Sequence, residues 1–173
     1  IFPMEHALSE LSKINKELLD EKPHPYLGHA TLHPGMISGG TAQSVIASES
    51  NIKWERRTLP GESKQKLNDE LQRVISAVLK APGEHKVTGS QIYNRPPNEV
   101  KNESTIDTLR RIAGNKDYDG MSYWADSALA TMAGIPSILF GPAGHGAHAV
   151  DEWVSKKSML NCYKTMEKFI LGI

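Results

Sequence analysis

DSALATMAGIPSILFGPAGHGAHAVDEW, residues 126–153, reads as helix, strand, glycine-rich loop and then a histidine beside an acidic pair. Asp126 is expected to cap a short helix over 127–133, with Gly134 as the left-handed residue that ends it. Residues 136–140, PSILF, are a short apolar run of the kind that forms a buried strand. Gly141, Pro142, Gly144 and Gly146 then let the backbone approach a ligand closely and deliver His148 at the strand's carboxyl end. In open α/β sheets that is where ligand sites sit. The pattern says site loop and leaves the chemistry open.

Outward from this stretch, Met4, Ala7, Leu8, Leu11, Ile14 and Leu18 recur at helical spacing. With Pro3 at a tolerated first-turn position and Pro23 beyond the end, they predict a helix over 4–21. Residues 26–38 mix turn residues with short apolar pieces and read as an irregular strand. Residues 44–59 alternate better (Val45, Ala47, then Ile52, Trp54, Arg56) and read as one long strand or a strand with a bulge, stopped by Pro60-Gly61. A helix over 63–80 carries Leu67, Leu71, Val74, Ile75 and Val78 on one face and ends at Ala81-Pro82-Gly83. Residues 85–94 form another strand candidate. A helix over 104–113 has Ser104 or Thr105 as cap and Gly114 after its end. Residues 115–124 read as a polar loop, and a final helix over 156–171 carries Met159, Leu160, Tyr163, Met166, Phe169 and Ile170.

A composition break at Pro96-Pro97 divides the chain into residues 1–97 and 98–173. The first part reads helix–β–β–helix–β, one strand short of a βαββαβ unit. The second has too few strands for a doubly wound sheet. It is therefore expected to expose apolar surface unless another chain completes it.

Twenty basic against twenty acidic residues leave no net charge, so nothing points to a nucleic-acid or membrane partner. No stretch is apolar enough to span a bilayer. Hydrophobic residues make up 39% of the chain, with three Phe and three Trp, which predicts a modest core. One cysteine, Cys162, excludes an internal disulfide and a thiolate metal cage and reads as buried filler. The opening Ile1-Phe2-Pro3-Met4 has neither an initiator methionine nor a signal-peptide pattern, which fits a truncated or cleaved product. The expected location is cytoplasmic.

Residues 124–154, WADSALATMAGIPSILFGPAGHGAHAVDEWV, resemble the closing segment of the M20 family of metallopeptidases and amidohydrolases. Gly39-Gly40, Ser44-Val45-Ile46 and the run RRTLPGE over 56–62 are similar to that family's lid-domain pattern. Arg95-Pro96-Pro97-Asn98-Glu99 is similar to the strand that leaves the lid. Within the family the wording looks closest to the acetylornithine deacetylase and succinyl-diaminopimelate desuccinylase branch. The family's earlier half, with its His-x-Asp strand, bridging aspartate and Glu-Glu pair, has no counterpart in these residues.

The resemblance implies an α/β (α+β) chain. Residues 1–97 would be a ferredoxin-like lid or dimerisation domain lacking its first strand, and residues 98–173 an incomplete α/β zinc-peptidase catalytic domain. It implies a parent enzyme that hydrolyses an amide bond in N-acyl amino acids or small peptides. A pair of zinc ions would serve it, with cobalt or manganese as alternatives, and the general-base glutamate would lie in the absent half. This chain alone is expected to hold no zinc tightly and to be inactive. The implied partners are the substrate, a second copy bound through the lid, and the N-terminal half. The rival expectation is a non-catalytic dimerisation or interaction fragment.

His148 matches the family histidine that follows the glycine loop and binds one zinc through an imidazole nitrogen. Zinc suits the task because it polarises the amide carbonyl and lowers the pKa of bound water towards neutrality. The bland alternative is a loop histidine that only hydrogen-bonds, as most do. His145 reads as loop filler or an outer partner, since a glycine loop does not put two imidazoles on one face. His24, His29 and His33 fit no zinc spacing and read as turn residues. Asp151-Glu152 reads as an outer partner of the site or a helix-entry pair.

Arg57 matches the arginine that holds the substrate's carboxylate, a role suited to a planar guanidinium with parallel donors. Neighbours on a strand face opposite ways, so Arg56 reads as an exposed strand arginine. Ser44 stands where the family usually has asparagine and Ala47 where it has proline, which bears on substrate identity. Tyr123 and Trp124 align with a segment whose backbone contacts substrate in relatives; Trp124 walls the pocket or packs on the sheet. Gly144 belongs to the loop expected to approach substrate.

Overall fold

Pro3 opens the first helix, where its missing N–H costs nothing. The computed structural model describes residues 1–100, 104–114 and 117–173, which divide into two compact units, Ile1–Pro97 and Asn98–Ile173. In the first unit, α1 (Pro3–Asp20) buries Met4, Ala7, Leu11, Ile14 and Leu18. The spacing of 3, 4, 3 and 4 residues puts all five on one stripe. Leu8 lies off that stripe and stays exposed. Glu21 is extended and ends the helix ahead of Pro23.

Asn15 on α1 accepts the Leu32 backbone N–H at 3.0 Å through Oδ1, fixing the start of β1 (Thr31–Gly39) against the helix. β1 pairs antiparallel with β2 (Ser50–Arg57), from Thr31 opposite Arg57 to Gly39 opposite Ser50. The register shifts between Pro34 and Met36, so the bulge lies on β1. A proline that cannot donate to a ladder belongs at such a break. β2 begins only at Ser50, and residues 44–49 belong to the connection, not to the long strand expected over 44–59.

Alternation on β2 turns Ile52, Trp54 and Arg56 inward and leaves Asn51, Lys53, Glu55 and Arg57 exposed. α2 (Lys64–Leu79) is capped by Ser63, whose Oγ accepts the Lys66 N–H at 3.1 Å. Ala7, Leu11, Ile14, Leu18, Ala30, Leu32, Val74 and Val78 form the core, with Ile52, Trp54, Leu59 and Val87 packed against it. Two helices thus cover one face of a two-stranded sheet. Residues 85–94 form no strand. They are laid on the core through Val87, and a Cβ on Gly89 would come within 2.9 Å of Leu71 Cδ1 on α2. A segment lying along a helix has no ladder to join, so its apolar alternation does not become β-structure.

In the second unit, α3 (Ser104–Ile112) buries Ile106 and Leu109 and packs against α5 (Lys156–Leu171). The loop expected over 115–124 has its first two residues outside the described ones; residues 117–124 are irregular. α4 is Ser127–Met132, and Asp126 is itself helical in backbone with no side-chain cap bond, contrary to expectation. Gly134 does close it, at φ +82°, with the Gly134 and Ile135 N–H groups donating to the Thr131 and Ala130 carbonyls. Residues 136–140 form no strand, and Leu139 is exposed. A buried parallel strand needs neighbours on both sides, and none lies beside it among the described residues.

α5 is capped by Ser155, whose Oγ accepts the Ser158 N–H at 3.3 Å, and closed by Gly172 at φ +69°. It has no buried residue among those described: Leu160, Tyr163 and Ile170 are all more than half exposed. Cys162 is half-buried, short of the buried filler expected. With helices and two small antiparallel sheets, the fold is α+β.

Candidate functional site

The strand parity that exposes Arg57 buries Arg56. The Arg56 side chain is 8% exposed and is held by carboxylates 10–11% exposed: its NH2 meets Glu62 Oε1 at 2.6 Å and its Nε meets Glu70 Oε2 at 2.9 Å. Its NH1 also donates to the Arg57 carbonyl at 2.7 Å. Arg56 is therefore not the exposed strand arginine expected. Burial opposes its charge, but the hydrogen bonds to Glu70 and Glu62 outweigh that and hold its pKa above the ordinary value.

Glu62 closes the Pro-Gly turn: it accepts the Leu59 N–H at 2.7 Å, and Lys66 lies 3.0 Å away. Burial alone would raise its pKa; the bonds from Arg56, Leu59 and Lys66 bring it below the ordinary value. The RRTLPGE run is thus a structural clasp between β2 and α2. Gly61, at φ +90°, makes the turn possible.

Arg57 stands on the open face of the sheet, its Nε 2.7 Å from Glu55 Oε1, with both side chains about half exposed (54% and 53%). Ser44 is exposed and lies in the connection at the Gly39–Ser50 end of the sheet. Arg57 is at the other end of β2, seven residues or roughly 23 Å along the strand. The hairpin does not bring these two together.

In the second unit the glycine loop forms a short hairpin, β3 (Gly144–His145) against β4 (Trp153–Val154). A Cβ on Gly144 would collide with the Trp153 carbonyl oxygen, so the hairpin itself requires glycine there. The hairpin is tied to the first turn of α5: the Ala143 N–H donates to Ser158 Oγ at 2.7 Å, and the Ser155 N–H to the Ala143 carbonyl at 3.0 Å. His148 sits in the loop of this hairpin, exposed, at φ +67°. Among the described residues it is the one non-glycine with positive φ. Its backbone N–H donates to Glu152 Oε2 at 3.3 Å.

Tyr123 is exposed and Trp124 half-buried. His145 is exposed, its ring 6.3 Å from that of Trp153. No group of three or more His, Cys, Asp or Glu that could hold a metal is assembled among the described residues. One exposed imidazole does not fit a zinc centre by itself, which needs three or four donors. Sequence reasoning missed one acidic residue, Glu70, whose carboxylate is engaged by Arg56; Glu152, read as half of an outer-partner or helix-entry pair, instead accepts the His148 backbone N–H. Arg56 could have been placed from its parity with Ile52 and Trp54; a backbone contact four residues away leaves no signal in composition.

A helix, two antiparallel strands and a second helix over one core are the geometry that comparison with known proteins has to account for. Residues 2–82 match the M20 peptidase dimerisation domain. That match ends at Pro82, just past α2, and takes in the whole clasp. The chain is also 22% identical over 160 residues to an acetylornithine deacetylase of Myxococcus xanthus, covering 90% of this chain and 40% of that protein. A second acetylornithine deacetylase, of Buchnera aphidicola subsp. Schizaphis graminum, is 23% identical over 147 residues, or 83% of this chain and 38% of that protein. The chain therefore spans about two fifths of the length of these relatives. The resemblance to an M20 enzyme stands: residues 2–82 match a peptidase dimerisation domain, and the likeness to the two deacetylases runs on past them. No helix among the described residues is long and apolar enough to cross a membrane.

Proposed function

We propose that this chain is the C-terminal part of a zinc-dependent M20 hydrolase that cleaves an amide bond in N-acyl amino acids or small peptides. The observation that carries this is the reach of the similarity. It covers 90% of the chain, so it passes beyond the dimerisation domain into the unit holding His148. His148 serves as one imidazole donor to zinc, and the remaining donors come from a segment outside these residues. Arg57 holds the substrate's carboxylate from the open face of the sheet, and Ser44, Tyr123, Trp124 and Gly144 are further substrate contacts. The dimerisation domain pairs two copies.

Alone, the chain acts as a dimerisation module without turnover, a reading favoured by the match of residues 2–82 to a peptidase dimerisation domain. The test compares turnover of N-acetylated amino acids by the chain alone and by the chain joined to the ligand-bearing segment. Turnover lost on chelation should appear only in the second. Chelator-sensitive turnover by the chain alone would refute the reading, as would its absence from both.

A further inference from the structure

Leu32 gives its backbone N–H to Asn15 Oδ1 at 3.0 Å. A strand's N–H lies in the sheet plane and points either at the neighbouring strand or away from it. This bond therefore puts the Asn15 side of α1 at the outer edge of β1, away from β2. α1 follows β1 in the opposite direction, with Asn15 by the strand's start and Ile1 by its end, where a Cβ on Gly40 would stand 3.7 Å from Ile1 Cδ1. Leu8, Ser12 and Leu19 share the Asn15 side, at steps of 4, 3 and 4 residues. Glu10, Glu17 and Glu21 take the other side, where they meet Arg73 and Lys66 of α2. Leu8 and Leu19 are 38% and 49% exposed. A stripe of two leucines about a polar middle thus overhangs the β1 edge uncovered.

The stripe is complementary to itself. Laid antiparallel on its own copy, about a two-fold axis between Lys13 and Ile14, it sets Leu8 on the partner's Leu19 and Ser12 beside the partner's Asn15, and symmetry makes each contact twice. The same register brings Glu5 opposite the partner's Lys22, both exposed and opposite in charge. At this level the β1 edge offers little to a second strand, because the Leu32 N–H is already taken and Pro34 has none. We infer that a second copy of this chain docks on this stripe, α1 against α1. The stripe lies within residues 2–82, which match the dimerisation domain, and the inference rests on the proposed pairing of that domain and names its face.

Sedimentation equilibrium of the full chain tests this with Leu8→Lys, with Leu19→Lys, and with Leu8→Lys combined with Leu19→Glu. Each single change sets a lysine against leucine at two symmetric contacts and should weaken association about tenfold or more. The combined variant sets opposite charges across both contacts and should recover most of that loss. Within one copy the two positions stand roughly 16 Å apart along the helix, too far to pair with each other. Both leucines are exposed, so the far-ultraviolet circular dichroism of all three variants should match wild type and report an intact fold.

Single variants that associate as tightly as wild type would overturn this face as the interface and leave the pairing of two copies standing. A combined variant no tighter than the single ones would overturn the antiparallel register, and with it the docking of α1 on α1. A wild type that stays monomeric across the concentration series would instead remove the pairing itself.

Discussion

Replacing Arg56 with methionine keeps the apolar stem and about the same length but strands two carboxylates. Glu62 and Glu70 are 11% and 10% exposed in their side chains, and Arg56 reaches both at 2.6 and 2.9 Å. Removing one partner of a buried ion pair costs about 3–5 kcal/mol, because the charge left behind has neither partner nor water. Lys66 still lies 3.0 Å from Glu62, so Glu70 is the group left alone. That places Arg56→Met near the lower end, at about 3 kcal/mol.

Arg57→Ala is the control one residue away. It breaks a pair whose members are about half exposed, worth ~0.5 kcal/mol after screening by solvent. Urea unfolding followed by far-ultraviolet circular dichroism separates the two. With a slope of about 1–3 kcal/mol per molar, Arg56→Met should lower the midpoint by roughly 1–3 M and Arg57→Ala by little. Adding Glu62→Leu and Glu70→Leu to Arg56→Met should recover most of the loss, since apolar replacement of a whole buried network is often neutral. Equal destabilisation by Arg56→Met and Arg57→Ala would refute the assignment of Arg56 to the clasp.

The clasp also predicts a pH dependence. Glu62 is held below the ordinary 4.5 when folded, so its contribution is fully present above that value and is lost as pH falls through the lower folded pKa. Stability of the first unit should drop on acidification through this window, and Glu62→Gln should flatten the profile there; an unchanged profile would remove Glu62 from the clasp. Leu11→Ala, at a position 1% exposed in the centre of α1, should cost about 2–5 kcal/mol in the same urea assay, and under 1 kcal/mol would mean that α1 is not the core helix. Sedimentation over a concentration series should show self-association of the chain at micromolar concentration, because α5 leaves its apolar face open and both β1 and β2 have an unpaired edge. A compact, cooperatively unfolding monomer would contradict this.

The helices were legible because their signals are local. Periodicity placed α1, α2 and α5 to within a residue or two, and the Gly114 and Gly134 ends follow from the left-handed step each makes. Strands were less legible because a strand exists only with its partner. Residues 85–94 and 136–140 have the composition of β-structure, yet the first lies along α2 and the second pairs with nothing described. Arg56 shows the same limit in a side chain. Its type says surface, while its parity with Ile52 and Trp54 says interior, and parity wins because Glu62 and Glu70 are there to meet it. At the candidate site the sequence marked His148 and the Asp151-Glu152 pair beside it, but not the left-handed backbone of His148 nor that Glu152 meets its N–H.

Zinc content is the most direct measurement of the proposed role of His148. It should be determined for the protein carrying this chain together with the segment proposed to supply the remaining ligands, in wild type and His148→Ala, alongside turnover of an N-acetylated amino acid. His148→Ala is expected to lose zinc and rate together, because one residue contributes to both. A His148→Ala protein with full zinc and an unchanged rate would contradict the assignment of His148 and the hydrolase reading built on it.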